Sequence, residues 1–430
     1  MFDKAIVNGK VWMKNHWIKT NVYIDENKIQ LISDDYHPAK KIIEADESLV
    51  MPGLIDPHVH FDLDLGHIRS KDDFLYGSKQ AAFGGISAYI DFLEPVDNPT
   101  ALIDAYEKRK SEVEASYVDY FFHATIKNPQ CDLEVFVKTM LSLNIHSLKL
   151  FTTYSESNRR TYDKDIIELL KLSEKYHFLL LAHIENDELI NLRQIYTHKD
   201  LLKSRPSVSE EKEAIKLAGY VRQYGGYLYM VHLSSGRTLE KLMNNYNDII
   251  NQKFFIESCP HYFMFTHDYL ERNDGYLYTL APPLRTREER KILRRNFKYI
   301  YAIGTDHCAF NKIDKTNKPL VDMPLGIGGI EFSFDVMYAM FGGDILPKMT
   351  TNITKLYDKL ELYGQIKEGY FANLFIYQLK DMLIENHHGK TDYTVYKHMK
   401  KCGQLRHAIL RGEMVVENRQ ISQPIGREIT

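Results

Sequence analysis

Eight short β-branched or aromatic runs, most followed by a stretch with helical spacing, constrain this chain more than any other feature. The runs fall at residues 54–56, 88–92, 120–124, 147–151, 179–183, 228–232, 254–257 and 301–304. Helical stretches such as 73–83, 102–115, 163–176, 211–224 and 288–295 lie between them. Each unit is roughly 25–50 residues, the size of one βα unit. Eight in succession predict an α/β fold, a (β/α)8 barrel, although a doubly wound open sheet shares the local pattern. The chain ends read differently. Apolar runs at 4–7, 22–24 and 30–32, separated by turn residues, are mirrored by runs at 373–377, 407–410 and 414–416. Two strand-rich ends flanking a long middle predict one small β-sandwich made from both termini. The expected division is residues 1–50 and 368–430 for the two parts of the sandwich and 51–367 for the barrel.

Composition removes several function classes. A net charge of −3 over 430 residues, with no basic run, argues against a nucleic-acid partner held by phosphate neutralisation. No apolar run approaches the roughly 20 residues that span a bilayer, and the first residues lack the apolar core of a signal peptide. The four cysteines (Cys131, Cys259, Cys308 and Cys402) form no CxxC pair. That pattern suits a reducing cytoplasm and excludes a disulfide framework or a zinc knuckle.

In a barrel, chemistry collects where the strands end. The first run ends in Asp56-Pro57-His58-Val59-His60, the fifth in His183, the sixth in His232, and the eighth leads into Gly304-Thr305-Asp306. His58 and His60 are two apart, so on a strand both rings face one side and reach one cation. His183 and His232 offer a second imidazole pair, and Asp306 adds a hard oxygen. This donor set suits zinc, with Mn or Co also admitted. A lone histidine at a strand end is usually a satisfied polar group, but five such positions on one predicted rim imply a metal site.

Lys149 lies inside the fourth run, where apolar residues are expected. A buried ammonium is unfavourable, and next to dications it is repelled and has no lone pair to offer. A salt-bridged rim lysine is one explanation. The chemistry fits better if the amine has added CO₂, giving an anionic, bidentate carbamate able to bridge two metals.

Together these residues resemble the cyclic amidohydrolases of the amidohydrolase superfamily, most closely the hydantoinase/dihydropyrimidinase group. The resemblance runs through Met51-Pro52-Gly53-Leu54-Ile55-Asp56-Pro57-His58-Val59-His60, Lys149-Leu150-Phe151 with Tyr154, Ala182-His183 with Glu185-Asn186, and Arg205-Pro206. It continues through Val231-His232-Leu233-Ser234, Cys259-Pro260-His261-Tyr262, Pro282-Pro283-Leu284-Arg285 and the GTDHC of residues 304–308. The resemblance implies two divalent metal ions. His58, His60 and Asp306 would bind one, His183 and His232 the other, with carboxylated Lys149 between them. It also implies that Asp306 shuttles the proton and Tyr154 donates to the oxyanion. The implied substrate is a cyclic amide or ureide, and the implied assembly a homo-oligomer, dimer or tetramer.

Three departures bear on the substrate. Dihydroorotase-type members carry an arginine shortly after HxH, but Phe61 and Asp62 follow here. Leu325 stands where the hydantoinase loop usually has asparagine, and Ala281 stands where serine usually precedes PPLR. The missing arginine disfavours dihydroorotate, although Arg159 and Arg160 offer positive charge nearby if their loop folds inward. Allantoinase or dihydroorotase activity is the competing enzyme reading. A non-catalytic scaffold is the competing class, opposed by retention of every ligand. Lys149→Ala is expected to lose both metal and activity. A variant that keeps its full metal complement would contradict the carbamate.

Overall fold

A computed structural model describes residues 1–430. Strands β1 (Phe2–Met13), β2 (His16–Asp25), β3 (Lys28–Ser33), β4 (Ala39–Glu44) and β5 (Leu49–Pro52) come first. Eight barrel strands follow: β6 (Leu54–Val59), β7 (Ile86–Phe92), β8 (Asp119–Thr125), β9 (Ser147–Phe151), β10 (Leu179–His183), β11 (Leu228–Met230), β12 (Phe254–Ser258) and β13 (Ala302–Ile303). The chain closes with β14 (Leu374–Leu383), β15 (Lys400–Leu410), β16 (Glu413–Glu417) and β17 (Gln420–Ile421).

Strands β6 to β13 pair in sequence order, each parallel to the next. Helices such as Pro99–Glu112, Asp163–Tyr176 and Ser207–Tyr224 return the chain between them. The barrel is nearly closed, and its seam is made by the segments that carry the candidate ligands. Val59 bridges His307 in parallel. His60 N–H donates to His307 O, and Asp306 N–H to His58 O, both at 2.9 Å.

Side chains alternate across each strand, and the inward set is apolar except at the rim. Ile90 and Phe92 on β7, Leu179 and Leu181 on β10, Tyr229 on β11 and Phe255 on β12 form an inner core with Tyr357 and Leu360. The same parity carries on to His183 on β10 and Glu257 on β12, so the alternation that fills the barrel also turns these groups inward. A larger core lies between the strands and their helices.

The terminal strands form one hydrogen-bonded sheet of nine strands, ordered β17-β16-β15-β14-β5-β1-β2-β3 with β4 alongside β1. The two ends of the chain meet where β5 pairs antiparallel with β14, Pro52 opposite Leu374. This sheet encloses its own apolar core, including Val11, Val22, Ile24, Val50 and Ile376. The strands run well beyond the apolar runs, because their outward positions are polar and leave no hydrophobic mark.

Helix starts follow their caps. Asp73 accepts from Tyr76 N–H at 2.9 Å to open Phe74–Phe83. Asn98 accepts from Ala101 N–H to open Pro99–Glu112 three residues earlier than its apolar spacing suggests. From that helix Arg109, fully buried, reaches across to the barrel. It donates to Asp91 Oδ1 and to Glu112 Oε2, both at 2.9 Å, and to Phe61 O. Its guanidinium also lies 4.7 Å from the Phe74 ring centre. Removing one partner of a buried ion pair strands the other charge, at a cost of about 3–5 kcal/mol. Arg109→Met is therefore expected to lower unfolding stability by about that much in urea denaturation. A loss below about 1 kcal/mol would contradict the anchoring role.

Candidate metal centre

The imidazoles of His58 and His60 converge at the rim, with 3.2 Å between their Nε2 atoms. Asp306 Oδ1 lies 3.2 Å from both. The ligand atoms of these three residues all fall within 4.8 Å of one another. A second pair adjoins them. The ring centres of His183 and His232 are 4.6 Å apart, and His232 lies 5.5 Å from His58. The Phe92 ring packs 4.8 Å from both His58 and His60, and the Lys149 amine sits 5.0 Å above the same ring. Tyr154 completes the group, its ring 5.1 Å from His183. The residues singled out from the sequence thus share one side of the barrel.

Buried carboxylates decide which imidazole nitrogens are free. His58 Nδ1 donates to Glu257 Oε1 at 2.8 Å, leaving Nε2 toward His60 and Asp306. His183 Nε2 lies 2.8 Å from Glu185 Oε2, leaving Nδ1 for a ligand. A carboxylate behind a histidine is the arrangement that fixes ring orientation and raises basicity in metal sites. His60 Nδ1 and His232 Nδ1 are sealed from solvent with no hydrogen-bond partner in the protein. Converging nitrogens and a carboxylate in a low-dielectric rim, with two buried ring nitrogens left unpaired, fit a divalent cation better than a protein-only network.

The rim carries a surplus of negative charge that calls for a cation. Burial disfavours the His58 imidazolium, yet the Glu257 and Asp306 carboxylates outweigh it and hold the ring up at about 9. Burial also opposes ionisation of Asp306, but His58 and His60 hold its carboxyl well below the usual range. Burial alone brings the Lys149 amine down to about 8, against the pull of Asp306 and Glu257. Burial raises the Tyr154 phenol to about 12, partly offset by Arg205, so it is a donor at neutral pH.

The backbone at the site is unusual. His232, Asp306 and Tyr154 have φ of 41°, 50° and 69°, in the left-handed region that non-glycine residues seldom adopt. Strand β11 therefore stops at Met230, two residues before the 228–232 run ends. His232 N–H leaves the ladder and donates to Glu257 Oε1 at 2.9 Å. Strand β13 likewise stops at Ile303, and Asp306 is delivered by a turn.

Several residues that build the site were not singled out by sequence reasoning. Glu257 is the foremost: one carboxylate, fully buried, serves His58, His232 N–H and the Tyr229 hydroxyl. Its only signal was an acid ending an apolar run. Asp56 accepts from Thr305 N–H and His58 N–H, both at 3.1 Å, and so braces the seam. Burial raises its carboxyl to about 7.

The loop charges sort out clearly. Asp62 and Asp64 are paired with Arg69 at 2.8 and 3.1 Å, so their charge is largely compensated. Phe61 is buried against Tyr89 and His307. Arg160 is paired with Asp187 at 3.3 Å and stacks over Tyr162, while Arg159 makes no ion pair. Leu325 packs half-buried against the main core.

The comparisons with known proteins agree with this picture. Residues 49–415 match the model of the amidohydrolase family. The chain is 27% identical to a D-hydantoinase of Geobacillus stearothermophilus, across 97% of this chain and 93% of that protein. It is 26% identical to a D-phenylhydantoinase of Escherichia coli, across 95% and 94%. A solved D-hydantoinase (dihydropyrimidinase) from Thermus sp. superposes with a TM-score of 0.93 at 26% identity, covering 99% of this chain and 98% of that one. No helix of the chain is long and apolar enough to cross a membrane.

Glu257→Gln keeps the shape but leaves His58 without its charged partner. Metal affinity is expected to fall by about 10- to 100-fold in competition with a chelator. Unchanged affinity would mean that Glu257 only fills space.

Proposed function

The chain belongs to the amidohydrolase family, and from that premise we propose that it opens the ring of a hydantoin- or dihydropyrimidine-type cyclic amide, giving an N-carbamoyl amino acid. One observation carries the reading: His58, His60 and Asp306 converge on one point of the rim with the His183–His232 pair beside them, and buried acids orient two of the rings. Names of relatives acting on hydantoins support the substrate class.

His58, His60 and Asp306 would hold one divalent cation and His183 and His232 a second, with carboxylated Lys149 between them. The donor set favours Zn and admits Mn or Co. Bound there, such ions supply an acidified water and a polarised carbonyl. Support for the carbamate comes from the Lys149 amine itself. It is buried, without an ion pair, and at about 8 a usable share is neutral, the form that adds CO₂.

The remaining steps belong to the chain. Asp306 is ionised and close to both rim histidines, so it takes the proton from the attacking water. It then delivers that proton to the ring nitrogen, which leaves poorly until protonated. The Tyr154 phenol, protonated at neutral pH, donates to the oxyanion that forms at the attacked carbonyl. Glu257 and Glu185 keep the imidazoles aimed throughout. The four cysteines are all free, which suits a cytoplasmic enzyme. We place it in a homo-oligomer by analogy with its family.

Specificity follows from what the rim lacks. A dihydroorotate carboxylate needs a cation close to the metals, and neither Phe61 nor Asp62 supplies one. Losing a buried charge-assisted pair costs roughly 2–5 kcal/mol, about 30- to 4000-fold in binding. With Arg69 compensating the loop acids, the missing cation is the discriminator. Hydantoin and dihydrouracil are expected to be opened at least about ten times more efficiently than dihydroorotate, measured as kcat/KM. Equal or better efficiency with dihydroorotate would overturn the hydantoinase-type assignment and direct attention to Arg159.

A further inference from the structure

Arg205 is a buried group that the proposed chemistry leaves unused. It lies just before Pro206, between the Leu201–Ser204 and Ser207–Tyr224 helices, and is 2% exposed. One of its nitrogens donates to Glu185 Oε2, the same oxygen that lies 2.8 Å from His183 Nε2. Its guanidinium lies over the Tyr154 ring, 4.7 Å from the ring centre. From behind, Arg205 O accepts from Arg285 Nη1 at 2.7 Å. The residue is therefore fixed at its backbone, anchored at one edge of its guanidinium and in contact with Tyr154 across its face.

Tyr154 needs such support. Its φ of 69° is a conformation that a non-glycine residue keeps only when its surroundings hold it there. The residues that follow, 155–158, are exposed; Ser157 and Arg159 N–H donate to the Tyr154 carbonyl at 3.2 and 3.0 Å and hold its backbone, which leaves the ring to be seated by other contacts. The ring is held by the Arg205 guanidinium over its face and by the neighbouring His183 and Phe151 rings. A planar guanidinium suits this task, because it pairs with a carboxylate through its edge while stacking through its face. A lysine ammonium cannot do both.

We propose that Arg205 is a positioning residue for the ring-opening reaction: anchored by Glu185, its guanidinium seats the Tyr154 ring so that the phenol meets the oxyanion. The proposal rests on Tyr154 as the oxyanion donor. Arg205 acts through Tyr154 and touches no reacting atom. Because Glu185 also orients His183, the Tyr154 phenol and the second imidazole pair are held in register by one buried ion pair.

A double-mutant cycle on the metal-loaded enzyme tests this, with hydantoin as the substrate. Tyr154→Phe alone is expected to lose about 10²–10³ in kcat. Arg205→Lys alone is expected to lose about 10- to 100-fold in kcat, with KM and metal content nearly unchanged. The double variant is expected to be no slower than Tyr154→Phe by more than about threefold, since the residue Arg205 seats no longer donates. Losses that multiply in the double variant, or metal lost from Arg205→Lys, would overturn the proposal. If the lysine variant does not fold, Arg205→Gln, whose amide still donates toward Glu185, replaces it in the cycle. If Tyr154→Phe is as fast as the parent, the oxyanion-donor reading has failed. A crystal structure of Arg205→Lys then decides the seating alone: a displaced Tyr154 ring supports it and an unmoved one overturns it.

Discussion

The hydrogen bond from His58 Nδ1 to Glu257, between two fully buried groups 2.8 Å apart, is the contact on which the rim depends. A carboxylate sealed from water is tolerated only when its oxygens are used. Glu257 uses both, accepting from His58, His232 N–H and the Tyr229 hydroxyl. Those three partners come from β6 and from in and beyond β11, while Glu257 itself is on β12. One side chain therefore orients one candidate ligand, bends the backbone of a second and ties the rim to the inner core. Glu185 repeats the device for His183, and there the balancing charge is Arg205.

The barrel seam adds a second constraint. β13 is only two residues long, and closure is completed by His58, Val59 and His60 against Asp306 and His307. Closure of the fold and convergence of His58, His60 and Asp306 are thus one event. Loss of the seam would separate the ligands, and the left-handed turn at Asp306 is the price of bringing a carboxylate there.

Much of this was legible in the sequence, and the limits have physical causes. The runs at 147–151 and 179–183 coincide with β9 and β10, because both are bounded by turn residues and buried on both faces. The run at 228–232 overshoots β11, since nothing in a single sequence reveals that His232 adopts a left-handed backbone. The terminal strands extend past their apolar runs, because their exposed faces are polar. His58, His60, His183, His232 and Asp306 could be picked out by their place at strand ends, and Lys149 by its place within one. Glu257, Asp56 and Arg109 could not be assigned partners, because each acts across a long sequence separation that periodicity does not encode. The pairing of Asp62 and Asp64 with Arg69, seven and five residues on, is likewise not marked by any periodicity.

The central claim is that this rim is a cage for two divalent cations. Elemental analysis of the purified protein, grown with zinc, manganese and cobalt available, tests it most directly. Two equivalents of transition metal per chain, removed by chelation together with activity and restored with it, is the expected result. Protein that opens cyclic amides at full rate with no stoichiometric metal would contradict it.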